Sequence, residues 1–250
     1  MTVVVAYKYA ANPQDASVKS DGTVDWSRAK SAVSEYDPVA VTLGAQLAQE
    51  LGVEVVGISV GDKAVSSSMA KKNAMSKGLD RGLVIADDAT STWNHTEVAQ
   101  ALAGLVKKIG DANIVLTGDA SIDDGARLTS GLIAGYLGWP AFQGVEKVEA
   151  AGDGFKITQI IPGGYRTLSV SGSVVVSVAS DAVTPKVPSM KDILAAGKKP
   201  VEEAPVDSVE VNKVAVAKKS TEKPVAREHK QQLFATADEL AQALKESGIL

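Results

Sequence analysis

Short apolar runs alternate with stretches where apolar residues recur every three or four positions, and this alternation governs the chain as far as Pro140. Residues 2–7 (TVVVAY) form a β-branched run that predicts a buried strand. Asp37-Pro38 reads as an N-cap and a first-turn proline. Ala40, Leu43, Leu47 and Leu51 then follow at helical spacing, and Gly52 closes the helix. Residues 53–60 (VEVVGISV) predict a strand, 64–77 a helix stopped at Gly78, and 81–86 (RGLVIA) a strand. Residues 95–109 predict a helix with Val98, Leu102, Leu105, Val106 and Ile109 on one face. A strand over 112–117 and a helix over 125–137, ended by Gly138-Trp139-Pro140, complete the series. Strands joined by helices of this length build parallel sheets with right-handed crossovers. Between the first strand and first helix, residues 8–36 are polar and carry turn signals at Asn12-Pro13 and Asp21-Gly22. The flanks of Asp21-Gly22, ASVKS and TVDW, suit a small hairpin.

Beyond Pro140 the pattern changes. Residues 144–150, 154–161 and 165–170 read as short antiparallel strands with glycine-rich turns, 173–180 as a further strand and 188–196 as a short helix. Residues 198–235 are rich in Lys, Glu, Val and Pro without a sustained period and read as an extended tail. A last helix over 236–247 opens with a capping box from Thr236 to Glu239. The expected fold class is α/β: a Rossmann-like parallel sheet with flanking helices, a small antiparallel β addition, and an extended C-terminal arm ending in a helix. The expected organisation is a nucleotide-binding domain over 1–197 and an arm over 198–250 that docks on a partner, since a helix beyond an extended arm needs a surface to cover its apolar face.

Composition narrows the chemistry. The 250 residues contain no cysteine, which excludes disulfides, thiolate catalysis, Cys-ligated zinc and iron–sulfur clusters. With only two histidines, His95 and His229, a His-rich metal site is excluded as well. The net charge of −4 gives no basic footprint for nucleic acid. Aromatics number 3 Trp, 5 Tyr and 3 Phe, so the core is aliphatic. The N-terminal residues lack the basic and long apolar regions of a signal peptide. No apolar run approaches the ~20 residues of a membrane span. A cytoplasmic location is expected.

In open parallel sheets ligands sit beyond the carboxyl ends of the strands. Four loops qualify: Ala6 to Ala10, the approach to Asp37, Val60-Gly61-Asp62, and Gly118 to Thr129. The last, GDASIDDGARLT, follows an apolar strand and opens a helix, so its glycines and helix-start N–H groups suit an anion. Asp123 and Asp124 suit hydrogen bonds from a ribose or adenine, and Arg127 and Thr129 suit phosphate oxygens. The same acids equally suit a helix-capping cluster with no ligand, and the residues leave both readings open. The chain has no phosphate loop of the G-x-x-x-x-G-K-[ST] type, no G-x-G-x-x-G after the first strand and no G-x-S-x-G elbow. His95 reads as a cap or surface residue rather than a catalyst, His229 lies in the charged tail, and the lysine pairs at 71–72, 107–108, 198–199 and 218–219 read as solvated faces.

Taken together, six segments resemble the beta subunit of electron transfer flavoproteins. GDASIDDGARLTS followed by GLIAGYLGWPAF is similar to that family's nucleotide loop and the helix behind it. VVVAYKYA matches its first strand, DPVAVTLGA its N-P-x-x-x-x-A helix start, and ISVG the end of its second strand. VPSMKDILAAGKKP matches its L-P-x-I-M-x-A-x-K-K-P block, most closely in the Fix-type branch, and TADELAQALKESGIL resembles its terminal helix.

The resemblance implies a non-catalytic half of a heterodimer, an electron carrier rather than an enzyme. The alpha subunit would hold most of the redox FAD, and this chain would hold AMP or a second FAD. Nucleotide contacts carried over by position fall on Ala6, on Asp37, Pro38, Val39 and Ala40, and on Val60. In the loop they fall on Gly118, Asp119, Ala120, Ser121, Ile122, Asp123, Asp124, Gly125, Ala126, Arg127, Leu128 and Thr129. Asp119-Ala120 replaces the family's Lys-Gln, Arg127-Leu128 its Asn-Gln, and the proline expected after Lys8 is shifted to Pro13. The Val187-Pro188 block would face flavin dehydrogenase partners; its plainer reading is a surface turn before a short amphipathic helix. The competing readings are a stand-alone nucleotide-binding regulatory domain without flavin and a small ATP-using enzyme, the latter disfavoured by the missing phosphate loop.

Overall fold

The computed structural model describes residues 1–217, 219–220, 225 and 231–250. In chain order, β1 (Thr2–Ala6), β2 (Tyr9–Ala11), β3 (Ser17–Val18), β4 (Val24–Asp25) and β5 (Ser31–Val33) precede α1 (Asp37–Leu51). Next come β6 (Val55–Gly61), α2 (Ser68–Met75), β7 (Arg81–Ala86), α3 (His95–Ile109), β8 (Ala112–Thr117) and α4 (Thr129–Leu137). Then follow β9 (Ala141–Ala151), β10 (Gly154–Ile161), β11 (Gly164–Ser171), β12 (Val174–Val178), α5 (Met190–Ala196), β13 (Val201–Glu203) and α6 (Ala237–Glu246). The chain divides into two compact units, Met1–Val216 and Ala217–Leu250.

In the first unit one nine-stranded sheet runs in the order β11-β10-β9-β12-β8-β1-β6-β7-β13. The strands from β12 to β13 are mutually parallel, with Val3 beside Val55 on one side and Ile114 on the other. β9 joins β12 in parallel and then pairs antiparallel with β10, which pairs with β11. The antiparallel addition therefore extends the main sheet. The hairpin expected around Asp21-Gly22 forms as β3 and β4.

Alternation along β1 explains how both faces are covered. Val3 and Val5 point to a core shared with Val39, Leu43 and Leu47 of α1, while Val4 and Ala6 point to a core shared with α3 and α4. Burial on both faces removes polar positions from the strand, which is why TVVVA reads as a continuous apolar run. Burying each valine stabilises the fold by about 1.5–3 kcal/mol.

Several expected boundaries move. Asp37 is the first residue of α1, not its cap: Tyr36 occupies the cap position and makes no side-chain cap bond, and the Asp37 carboxylate is engaged by Lys8 instead of by its own helix. The helix expected from 64 begins as a 3-10 turn over Lys63–Ser66, and α2 starts afresh at a Ser67 cap. The helix expected from 125 starts at Thr129, since Asp124 turns the chain back onto the Ala126 N–H. The stretch after 198 is not all extended tail. Val201–Glu203 adds an edge strand to β7, and Val206, Val209 and Val211 pack on the α3 side of the core. Lys199 is not a solvated lysine either: its ammonium donates to the carbonyl of Leu79 at 2.6 Å, fixing the turn after α2.

The second unit contains α6, capped by Thr236, whose hydroxyl accepts from the Glu239 N–H. Glu239 does not close the expected capping box; its carboxylate takes the N–H of Ala235 instead. α6 has no buried residue. No helix among the described residues is long and apolar enough to cross a membrane.

Candidate functional site

The chain passes from β7 to β8 by crossing beyond β6 and β1, so the strand order reverses between β1 and β8. Open α/β sheets bind ligands at such a switch point, outside the carboxyl ends of the strands. A cavity of about 550 Å³ lies there, lined by the ends of β1, β6 and β8 and by the loops that leave them. Trp93, Val98 and Leu102, from α3 and the turn before it, supply apolar wall.

The floor is built by the segment entering α1. The Asp37 carboxylate is buried and accepts the Lys8 N–H through Oδ2 at 2.7 Å. The Gly118 backbone lies against the same carboxylate, close enough that a Cβ there would come within 2.6 Å of Oδ1, and its N–H weakly favours the charged form. Burial pushes the Asp37 carboxyl up to about 7, against the pull of those two N–H groups and the Lys8 charge. Ser34, also buried, donates its N–H to the Lys8 carbonyl at 2.8 Å and accepts the Ile122 N–H through its hydroxyl at 3.2 Å. Residues 34–37 thus hold the end of β1 and the loop after β8 together.

The mouth is charged. The Lys8 ammonium lies 2.6 Å from Asp123 and 3.6 Å from Asp124. His95 Nε2 lies 3.3 Å from Asp124, and Arg127 is 3.1 Å from Asp119. Burial raises the Asp124 carboxyl, but hydrogen bonds from Ser121 and the Ala126 N–H, with the charges of Lys8 and His95, outweigh it and hold the group below its usual range. Every cation here already has an acidic neighbour, so an incoming anion must exchange with a carboxylate rather than meet a bare charge.

Of the residues singled out from the sequence, Ala6, Asp37, Val60, Gly118, Asp119, Ala120, Ser121, Asp123, Asp124, Ala126, Arg127 and Thr129 line the cavity. Pro38, Val39, Ala40, Ile122, Gly125 and Leu128 do not. Val39 and Ala40 are core residues of α1, and Leu128 is exposed. Ile122 contributes its backbone through Ser34, and Gly125 supplies a left-handed turn at φ 64°.

The helix-capping reading of the acids does not hold. Leu128 occupies the cap position of α4 and makes no side-chain cap bond, while Asp123 and Asp124 bond to Lys8, Ser121, Ala126 and His95. The first turn of α4 is left without a side-chain cap where Thr129 and Ser130 meet the cavity.

Lys8 and Ser34 lie in two of the four loops expected at the ligand end, though neither was singled out as a contact, and Trp93 and His95 were not anticipated at the site. Lys8 had a visible signal as the one cation just after the first strand; the others are brought in by tertiary pairing. His229 lies outside the described residues.

A parallel sheet with a cleft at its switch point hosts many activities, so fold and cavity alone do not name a family. A family model described as the electron transfer flavoprotein domain matches residues 21–209, and the chain therefore belongs to that family of electron-carrying flavoproteins.

Proposed function

We propose that this chain is the beta subunit of a heterodimeric electron transfer flavoprotein, of the Fix-type branch, and that its cavity holds an adenine nucleotide, AMP or a second FAD. The observation that carries the reading is the convergence of three sequence-matched segments, at Ala6, at Asp37 and over Gly118 to Thr129, on one cavity at the switch point. The residues suit such a ligand. Trp93, Val98 and Leu102 offer apolar surface for a base. Lys8, Arg127 and the uncapped first turn of α4 offer charge and N–H groups for phosphate. Asp123 and Asp124 offer acceptors for ribose hydroxyls.

A flavin bound in the heterodimer supplies the one- and two-electron chemistry. This chain binds the nucleotide, orients it and walls it from water. Val187, Met190 and Leu194 are strongly exposed around the start of α5 and form an apolar patch for a dehydrogenase partner. α6, with no buried residue of its own, is the element that docks on the alpha subunit.

The test is to co-express the chain with its alpha subunit, release the bound nucleotides and identify them by mass spectrometry. An adenine nucleotide in about equal amount to this chain, besides the alpha-subunit FAD, supports the reading. A colourless preparation with nucleotide but no flavin favours a stand-alone regulatory domain. Absence of any adenine nucleotide overturns the assignment of the cavity.

A further inference from the structure

We propose that Asp37 is a positioning residue that makes nucleotide retention depend on an ionised carboxylate, because this one side chain holds the roots of both loops that form the cavity. The proposal rests on the reading of the cavity as a nucleotide site.

The Lys8 N–H donates to Asp37 at 2.7 Å, and the Gly118 backbone lies against the same carboxylate, its N–H favouring the charged form more weakly and without a hydrogen bond of its own. A carboxylate presents acceptor lone pairs on both oxygens. A protonated acid, or an amide, presents one acceptor and one donor, so one of the two N–H groups faces a donor instead. Neither root can move far to escape. A Cβ added at Gly118 would come within 2.6 Å of Oδ1, so the loop backbone lies directly on the carboxylate. The Lys8 carbonyl is also tied to Ser34. Loosening Lys8 shifts the ammonium that holds Asp123, and loosening Gly118 shifts the loop that carries Asp119 and Arg127.

The charged and titratable groups around Asp37 come from four places. Tyr7 at the end of β1 is raised by its own burial and by the Asp37 charge. Lys77 beyond α2 is lowered by burial, a shift the Asp37 charge opposes. Lys8 and the more distant Asp123 act on Asp37 in opposite directions. Burial outweighs the favourable partners and places the change of state at about pH 7.

Two consequences run in opposite senses. A carboxyl raised in the folded state binds its proton more tightly folded than unfolded. Its contribution to stability is therefore full below its ordinary value of 3.8 and is lost as pH rises through about 7. Site order, which needs the Lys8 N–H accepted and an acceptor rather than a donor turned to Gly118, increases over the same rise. A purely structural role would move stability and affinity together; the latch moves them apart.

The experiment measures AMP affinity by calorimetry for the full-length chain and its Asp37→Asn variant from about pH 5.5 to 8.5, with thermal melts alongside. Taking the ratio of the two proteins cancels the titration of the AMP phosphate. Amide resonances of Lys8 and Gly118 are followed in ligand-free protein. The expected result is a wild-type advantage in affinity that grows about tenfold across neutrality. The wild-type melting temperature should fall relative to the variant over the same range, and both amides should titrate with one midpoint in the wild type only. A constant affinity ratio, or affinity and melting temperature moving in the same direction, overturns the latch. Titrating amides with no AMP binding to either protein at any pH overturn the nucleotide reading instead.

Discussion

Gly118 and Asp37 meet so closely that a methyl group on Gly118 would lie 2.6 Å from the Asp37 Oδ1, with the Tyr36 backbone carbonyl carbon at 2.8 Å behind it. The end of β8 and the start of α1 therefore share a surface that accepts only hydrogen on the glycine. Gly118→Ala should cost about 1–3 kcal/mol through overpacking and, on the proposed reading of the cavity, should strip nucleotide from the protein co-purified with its proposed partner. Thermal melts and nucleotide content measure the two effects. A variant with wild-type stability and full occupancy would show that the contact yields freely.

Arg127 tests the phosphate assignment. Its side chain is 66% exposed, so water screens the pair from the arginine side although the Asp119 carboxylate is only 16% exposed, and Arg127→Ala should change stability by about 1 kcal/mol or less. A charge-assisted bond to phosphate contributes roughly 1.5–3 kcal/mol. On the proposed reading, nucleotide content at limiting ligand should fall about tenfold or more, while the FAD assigned to the proposed alpha subunit stays. Equal content in the two proteins would separate Arg127 from the ligand.

His95 stands 3.3 Å from Asp124 at the cavity mouth, which invites a catalytic reading. Asn94 caps α3 through a complete capping box with Glu97, so the position of His95 is set by helix geometry. Replacing His95 by Gln should leave electron transfer between donor and acceptor nearly intact in stopped-flow traces. A hundredfold slower transfer with FAD still bound would make His95 part of the chemistry.

Gly104 in α3 receives Val209, whose Cγ1 would stand 2.7 Å from an added Cβ. The same segment is clamped by Gln100, whose side-chain amide both donates to and accepts from the Asn212 backbone at 2.9 Å. Gly104→Ala should displace the segment over 209–214 and lower stability by about 1–3 kcal/mol. Limited proteolysis should then cut near Val209 faster than in the wild type. An unchanged digestion pattern and melting curve would mean that Val209 rotates away without penalty.

Much of the fold was legible because its elements advertise themselves locally. β7, α3 and β8 span the residues their patterns predict, since each is a pure apolar run or a strongly one-sided helix with sharp ends. β13 was not legible: three residues with two exposed glutamates carry neither alternation nor a run, and only pairing with Gly82, Leu83 and Val84 makes them a strand. At the site, the loop after β8 could be picked out from its glycines, acids and arginine. The pairing of Lys8 with Asp123, of Ser34 with Ile122 and of His95 with Asp124 could not, because each joins residues far apart in the chain that only the sheet order brings together. Asp37 was placed correctly at a helix start and given the wrong local role. A cap bonds its own helix, whereas this carboxylate bonds the loop after β1 and packs against the loop after β8.

The central place of β1 has a consequence for how the protein is made. β1, made before every other strand of this sheet, lies in mid-sheet, with β6 on one side and β8 on the other. A nascent chain that has reached β7 can pair only β1, β6 and β7, and Val3 to Ala6 then form an open edge still awaiting Ile114 to Thr117. An apolar β-branched edge of that kind is a template for pairing with another chain. Synthesis of α3 therefore sets a vulnerable interval, which closes when β8 is delivered to the exposed flank of β1.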